Sequence, residues 1–271
     1  MFQQANGIRM HYEDDGQGPA LVMIHGLGEN AASWAFQKAY FCRAFRVITM
    51  DLRGHGQSDD GEEFITMRLF AEDIESLLSS LGIRKAHFVG HSMGGLIIQE
   101  IATRNGERVL SMSLSDAAGY YPAPFSTTGL EERLKRLETL AMEEVAEAIA
   151  NVACRAGIPE EEKESIRKMF AANRREPYRQ TTISTLKADY RAFHGEMKAP
   201  TLLLVGEFDI TTPLEYAQFL NKAIVGSKLQ IIPDAAHMTK LENPDFYNRA
   251  IAEFLAAYAP SAAARLLGRE G

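Results

Sequence analysis

The sequence predicts an α/β protein with a doubly wound, mostly parallel sheet of about eight strands and an inserted helical segment. Short, unbroken apolar runs recur along the chain, which is typical of strands covered on both faces. Segments with apolar residues spaced by three and four lie between most of these runs, as crossover helices do in parallel sheets. One long, charge-rich stretch without a strand-like run interrupts the alternation.

Each element follows from its local pattern. Residues 8–13 alternate apolar and polar side chains, which predicts a half-buried antiparallel strand. The unbroken apolar runs, each predicted to be a buried strand, occupy 20–24, 46–50, 86–89, 109–114, 201–205 and 229–232. Helical spacing of apolar residues is found at 33–44, 64–81, 93–105, 214–224 and 244–258.

The stretch 119–194 breaks the alternation. Its apolar residues form helical stripes, and we expect three or four helices that cover the ligand crevice as a lid. A separate small helical domain is the alternative. The predicted core is then one discontinuous domain, 1–118 and 195–258, and 259–271 form a C-terminal tail that is frayed or weakly helical.

Composition narrows the class of partner. The chain has 271 residues, of which 46% are hydrophobic, and a net charge of −7, which argues against nucleic-acid or anionic membrane surfaces and favours a small-molecule partner. Cys42 and Cys154 lie far apart, so we expect reduced, buried thiols and no metal site. Neither a signal peptide nor a membrane-spanning run is evident, and we therefore expect a cytoplasmic protein. The sequence does not indicate an oligomeric state.

A serine lies at the apex of a predicted strand, tight turn and helix. The turn is Gly90-His91-Ser92-Met93-Gly94, between the run 86–89 and the helix 93–105. A serine hydroxyl becomes nucleophilic only when a strained turn presents it to a base and to oxyanion donors, and small glycines permit such a turn. A helix-capping serine is the alternative, but that role does not explain the flanking glycines. The pattern therefore predicts a nucleophile at Ser92.

A base and a carboxylate follow Ser92 in the order that this chemistry uses. Asp209 comes directly after the run 201–205, and His237 lies in the loop after 229–232. His237 would accept the serine proton, while Asp209 would fix the imidazole tautomer and stabilise the imidazolium. Asp116, after the run 109–114, is the competing carboxylate.

Four motifs in order resemble the α/β-hydrolase fold superfamily over almost the whole chain. They are His25-Gly26-Leu27-Gly28, the run from Asp51 to Asp59, Gly90–Gly95, and Gly206–Asp209 together with Ala235–His237. The resemblance implies that the backbone N–H groups of Leu27 and Met93 form an oxyanion hole, with Met93 also at a helix N-terminus. It implies no cofactor.

Four side chains are candidates for the substrate pocket. Trp34 follows the Leu27 loop, Met238 follows His237, and Tyr120 and Tyr121 stand at the entry to the predicted lid. Each of the aromatic residues could equally belong to the core.

The motifs predict acyl transfer from a small or medium carboxylic ester. The C-terminal segments 209–213 and 233–244 are similar to the branch of 3-oxoadipate enol-lactonases and small carboxylesterases, so a lactonase is the second hypothesis. His91 and Met238 differ from the Asn and Trp usual in C–C hydrolases, and Leu27-Gly28 differs from the usual perhydrolase pattern. A ligand-binding signalling receptor of the same fold is a further alternative, because fold does not fix function.

Overall fold

A computed structural model of the chain describes residues 1–268. Eight strands form one sheet in the order β1-β2-β4-β3-β5-β6-β7-β8, in which β1 and β2 are antiparallel to their neighbours and the rest are parallel. The strands are β1 (Phe2–Ala5), β2 (Ile8–Asp15), β3 (Ala20–Ile24), β4 (Arg46–Met50), β5 (Ala86–His91), β6 (Val109–Ser115), β7 (Thr201–Gly206) and β8 (Lys228–Ile232).

Helices cover both faces of the sheet. They are α1 (Ala35–Phe41), α2 (Met67–Ser80), α3 (Met93–Asn105), α4 (Thr128–Thr139), α5 (Met142–Ala153), α6 (Glu160–Ala171), α7 (Arg175–Lys187), α8 (Leu214–Ala223), α9 (Thr239–Glu242), α10 (Pro244–Leu255) and α11 (Pro260–Leu267). N-capping side chains mark where some of these helices begin. The Thr66 side chain accepts from the Leu69 amide at the start of α2, and Asn243 caps α10 ahead of its first-turn proline.

Alternate residues of the central strands supply two separate cores. Val22 and Ile24 of β3 join the core beneath α2 and α3, whereas Leu21 and Met23 join the one beneath α1 and α10. Strands buried on both faces have no polar face, which explains their unbroken apolar sequences. The predicted α/β class and the mostly parallel sheet are therefore confirmed.

The first strand was missed in the sequence. Asn6 and Gly7 both have positive φ, 47° and 80°, and join β1 to β2 as a two-residue hairpin. Asn-Gly between two extended segments is a strong hairpin signal. It goes unnoticed when the N-terminus is considered only as a possible targeting segment.

The chain between β6 and β7 contains four helices, α4 to α7. We call α4–α7 the inserted helices. They bury apolar clusters of their own, among them Ala150, Ile166 and Phe170, and Met238 of the sheet domain belongs to the same cluster. The inserted helices thus pack on the loops that follow the strands.

The C-terminal segment, for which a frayed or weakly helical tail was predicted, contains a helix that packs on the core. Helix α11 begins at Pro260, and its Ala262 and Leu266 are buried in the core that α1 and α10 share. The Tyr40 hydroxyl donates to the Leu266 carbonyl at 3.3 Å. The packed core therefore extends past the expected boundary at 258 to Leu267. Residues 269–271 of the predicted tail lie outside the described residues.

Candidate active site

Ser92 sits at the centre of the sheet, between β5 and α3. Its backbone is strained, with φ 51° and ψ −115°. A side chain at position 94 would bring a Cβ atom to 2.1 Å from the carbonyl oxygen of Ile24, so only glycine fits there. The two glycines of the turn let α3 approach the sheet closely, and the serine is held at a sharp apex.

Ser92, His237 and Asp209 form a continuous chain of hydrogen bonds. The Ser92 Oγ lies 3.1 Å from His237 Nε2, and His237 Nδ1 lies 2.9 Å from Asp209 Oδ2. Asp209 follows β7 and His237 follows β8, so the carboxyl ends of three parallel strands supply the three groups. This arrangement can move a proton from the hydroxyl to the imidazole.

Asp209 is fixed by the residues that follow it. Its Oδ1 accepts from the backbone N–H groups of Thr211 at 2.7 Å and Thr212 at 2.9 Å. The Thr212 hydroxyl donates to Oδ2 at 2.8 Å, beside the imidazole. Sequence reasoning missed Thr212, although Asp followed by Thr two and three positions later is a signal for such local bonds.

The opposite charges of His237 and Asp209 stabilise each other. Burial alone would lower the pKa of His237, but the charge and hydrogen bond of Asp209 raise it above the usual value for imidazole. Burial likewise acts to raise the pKa of Asp209, and the His237 charge with the Thr212 contacts holds it below its usual range. Asp209 therefore stays ionised and favours the imidazolium.

Asp116 is close by but differently placed. It is completely buried at the end of β6, where Oδ1 accepts from the Gly206 amide at 3.0 Å and Oδ2 receives the Thr239 hydroxyl. Burial and then the charge of Asp209 raise the pKa of Asp116 well above its usual range. Asp209, not Asp116, is the carboxylate that contacts His237 Nδ1.

Two backbone N–H groups near Ser92 have no acceptor among residues 1–268. Met93 is the first residue of α3, where the helix leaves its N–H unpaired. Leu27 lies in the loop after β3, lines the same cavity as Ser92, and its N–H also donates no hydrogen bond within the described chain. Such free donors can stabilise a negative oxygen.

A buried charge cluster lies behind the site. Lys240 Nζ donates to Glu29 Oε2 at 2.5 Å, and the other carboxylate oxygen of Glu29 is hydrogen-bonded to His91 Nδ1. His91 Nε2 in turn donates to the His237 carbonyl oxygen at 2.7 Å. All three side chains are at most 2% exposed. The cluster connects the Leu27 loop, the serine turn and the histidine loop, and sequence reasoning missed it because its members are far apart in the chain.

Ser92 and His237 open into a cavity of about 200 Å³ beneath the inserted helices. Apolar side chains from these helices form most of its wall, including Leu137, Val145, Ile149 and Phe170. Within residues 1–268, no group of three or more His, Cys, Asp or Glu side chains is placed to hold a metal ion. The same residues contain no helix long and apolar enough to cross a membrane.

Of the four side chains predicted for the substrate pocket, two line the cavity and two do not. Tyr121 and Met238 line the cavity. Trp34 does not, because it is fully buried in the core beneath α1 and α10, where the Lys240 ammonium lies 4.4 Å from its ring.

Tyr120 also lies outside the cavity. Its ring packs against Phe219 of α8 at 5.1 Å and under the Arg191 guanidinium at 4.2 Å. Neighbouring residues of an extended segment point to opposite sides, so Tyr121 faces the cavity and Tyr120 faces away. Of the two cysteines, Cys154 is buried as expected, whereas Cys42 is only partly so.

The chain is similar to known enol-lactonases and to a known esterase. A 3-oxoadipate enol-lactonase from Acinetobacter baylyi is 29% identical over 252 residues, which cover 91% of this chain and 93% of that protein. The structure of an enol-lactonase from Burkholderia xenovorans is similar, with a TM-score of 0.89 and 28% identity over 94% of this chain and all of that one. A thermophilic esterase from Thermogutta terrifontis, solved with malate bound, gives a TM-score of 0.88 and 28% identity over 95% of this chain and 97% of its own.

The sequence profile described as alpha/beta hydrolase fold matches residues 19–157, which include the Leu27 loop and the Ser92 turn. These residues make up half of the chain. The chain therefore belongs to the alpha/beta hydrolase fold family.

Proposed function

We propose that this protein is a carboxylesterase that cleaves small to medium esters through an acyl-enzyme on Ser92. The observation that carries the proposal is the hydrogen-bonded chain Ser92–His237–Asp209 opening into a largely apolar cavity. Apolar walls suit the hydrocarbon parts of an ester.

The reaction would proceed in two halves. His237 Nε2 takes the Ser92 proton as Oγ attacks the ester carbonyl, and the Leu27 and Met93 N–H groups hold the resulting oxyanion. The C–O bond then breaks, and the imidazolium gives its proton to the departing alcohol. In the second half His237 deprotonates a water molecule, which attacks the acyl-enzyme and releases the acid and Ser92. No step requires a cofactor.

The inserted helices would act as a lid over this chemistry. They provide most of the cavity wall, so their side chains would select the acyl and alcohol groups that fit.

Hydrolysis of 4-nitrophenyl acetate and butyrate tests the proposal. We expect turnover by the wild type and a loss of about 10⁴-fold or more in kcat for Ser92→Ala, because the nucleophile is gone and only binding and oxyanion contacts remain. Ser80→Ala, the same substitution at an exposed position of α2 outside the cavity, serves as the control. Equal rates for wild type and Ser92→Ala on these esters and on a panel of lactones would contradict the hydrolase assignment.

Lactone hydrolysis is the second candidate. It is favoured by the presence of enol-lactonases among the similar proteins. A lactone is an internal ester, so the steps are the same, but the leaving oxygen stays attached to the acyl group until water releases the open hydroxy acid. Relative kcat/KM for γ-lactones and for open-chain esters of matched size distinguishes the two functions.

The activity should fall as pH is lowered. His237 must be neutral to accept the serine proton, and its raised pKa means that it becomes protonated at a higher pH than a free imidazole does. We therefore expect kcat/KM for a neutral ester to rise with pH, with a midpoint above about 6.5, the ordinary value for histidine. A pH profile of the wild-type enzyme checks this, and a midpoint below that value would contradict it.

A further inference from the structure

The cavity contains a positive charge that the proposed reaction does not use. Arg133 of α4 lines the cavity and is half-buried, and its Cζ atom lies 4.5 Å from the centre of the Phe125 ring, which also lines it. A guanidinium over an aromatic face is held there by cation–π attraction. Arg136, one turn later on α4, reaches the same cavity from an exposed position.

Arg133 has no anionic partner among residues 1–268. Within the described chain its side chain forms no ion pair and donates no hydrogen bond, and the same holds for Arg136. Glu29 is the one carboxylate along the cavity wall that the structure describes, and Lys240 and His91 already bind it. Five guanidinium donors in a cavity with apolar walls thus remain available to a ligand.

The charge acts on the interior of the cavity. Burial raises the pKa of Tyr121 and Tyr178, two residues of the wall, and the positive charge of Arg133 partly offsets that rise at both hydroxyls. The protein carries a net charge of −7, whereas its cavity holds two arginines that form no ion pair within the described residues. A counter-charge offsets the cost of partly desolvating a charged side chain, and here the ligand would supply that counter-charge.

We propose that the ester or lactone cleaved at Ser92 carries a free carboxylate, and that Arg133 binds it. The inference rests on the proposed function and names the substrate class of that site. A planar carboxylate accepts two parallel hydrogen bonds from one guanidinium. The apolar wall formed by Leu137, Val145 and Ile149 suits the hydrocarbon chain between the carboxylate and the ester, as in a monoester of a dicarboxylic acid.

Binding to Ser92→Ala, which cannot form an acyl-enzyme, separates recognition from catalysis. The probes are monomethyl glutarate and methyl pentanoate, which have the same acyl length and differ in the terminal carboxylate. In this background we expect Arg133→Gln to weaken calorimetric binding of monomethyl glutarate by about 10- to 100-fold, the effect of losing a charged hydrogen bond. Binding of methyl pentanoate should change by less than about twofold.

Two variants control for charge and for folding. Lys135→Gln removes a positive charge from the same helix at an exposed position outside the cavity, and we expect no change with either probe. Arg133→Lys keeps the charge but loses the paired donors, so it should recover part of the binding. With Ser92 intact, Arg133→Gln should raise KM for monomethyl glutarate and leave kcat nearly unchanged.

Each result distinguishes the subsite from the hydrolase function. If Arg133→Gln weakens both probes equally, or if Ser92→Ala binds the neutral ester as tightly as the anionic one, the carboxylate subsite is wrong. Hydrolysis of methyl pentanoate by the wild type would then leave the esterase proposal standing. Conversely, Arg133-dependent binding of monomethyl glutarate without turnover of any ester would overturn the esterase proposal and keep the subsite.

Discussion

Asp209→Asn is expected to lower kcat by about 10⁴-fold with little change in stability. The asparagine keeps the shape of the side chain but presents an amide where His237 Nδ1 finds a carboxylate, so the imidazole takes the wrong tautomer and the imidazolium loses its stabilising charge. Steady-state hydrolysis of 4-nitrophenyl butyrate measures the effect, and urea unfolding verifies that the variant folds as the wild type does.

Asp116→Asn is the matched control. Asp116 is as buried and lies on the next strand, yet it contacts Gly206 and Thr239 and not Nδ1 of His237. Its raised pKa favours the neutral acid, which an asparagine resembles, and asparagine tolerates the positive φ of 50° at this position. We expect its kcat to stay within about tenfold of the wild type. The reverse result, a large loss for Asp116→Asn and a small one for Asp209→Asn, would transfer the role of acid partner to β6.

Lys240→Met is expected to destabilise the protein by about 3–5 kcal/mol, because it leaves the Glu29 carboxylate buried without its cation. Methionine has a similar length and can still pack on the Trp34 ring, so the loss would come from charge rather than volume. The free energy of unfolding from urea titration is the measurement. Lys38→Met provides the contrast, since the Lys38–Glu13 pair is about a third exposed and should contribute less than about 1 kcal/mol.

A double variant tests whether Lys240→Met loses stability because the Glu29 charge is left without its partner. Glu29→Gln together with Lys240→Met removes both charges, and we expect it to be more stable than Lys240→Met alone. A double variant less stable than either single one would mean that packing, and not charge pairing, accounts for the loss. In the wild type, Glu29 is also hydrogen-bonded to His91.

The sequence was most informative where a pattern is local. The strand 20–24 and the helix 93–105 have the predicted bounds, since apolar runs and spacing respond directly to burial on two faces or on one. The placement of Asp209 and His237 after strands predicted that they would meet Ser92, because parallel strands bring their carboxyl ends to one edge of the sheet.

Contacts between distant segments were the features that patterns could not supply. Glu29 follows β3, His91 ends β5 and Lys240 lies on α9, and no spacing in the sequence relates them. Trp34 was predicted to line the pocket because it follows the Leu27 loop in the sequence. That position does not determine on which side of the loop the indole packs. Arg133 has an ordinary place on an amphipathic helix, and only the packing of α4 over Ser92 shows that it lines the cavity.

The segment between β6 and β7 is also hydrogen-bonded to the loops that contain His237 and Leu27. The His237 amide donates to the carbonyl of Ala153 at 2.9 Å, and the Asn173 side chain donates to the carbonyl of Gly28 at 2.7 Å, next to Leu27. Evolution or engineering that exchanges α5 and α6 for helices of another selectivity would therefore alter the histidine and Leu27 loops as well. Substitutions in α4, which supplies Arg133, avoid these anchors, and new specificities are more accessible there.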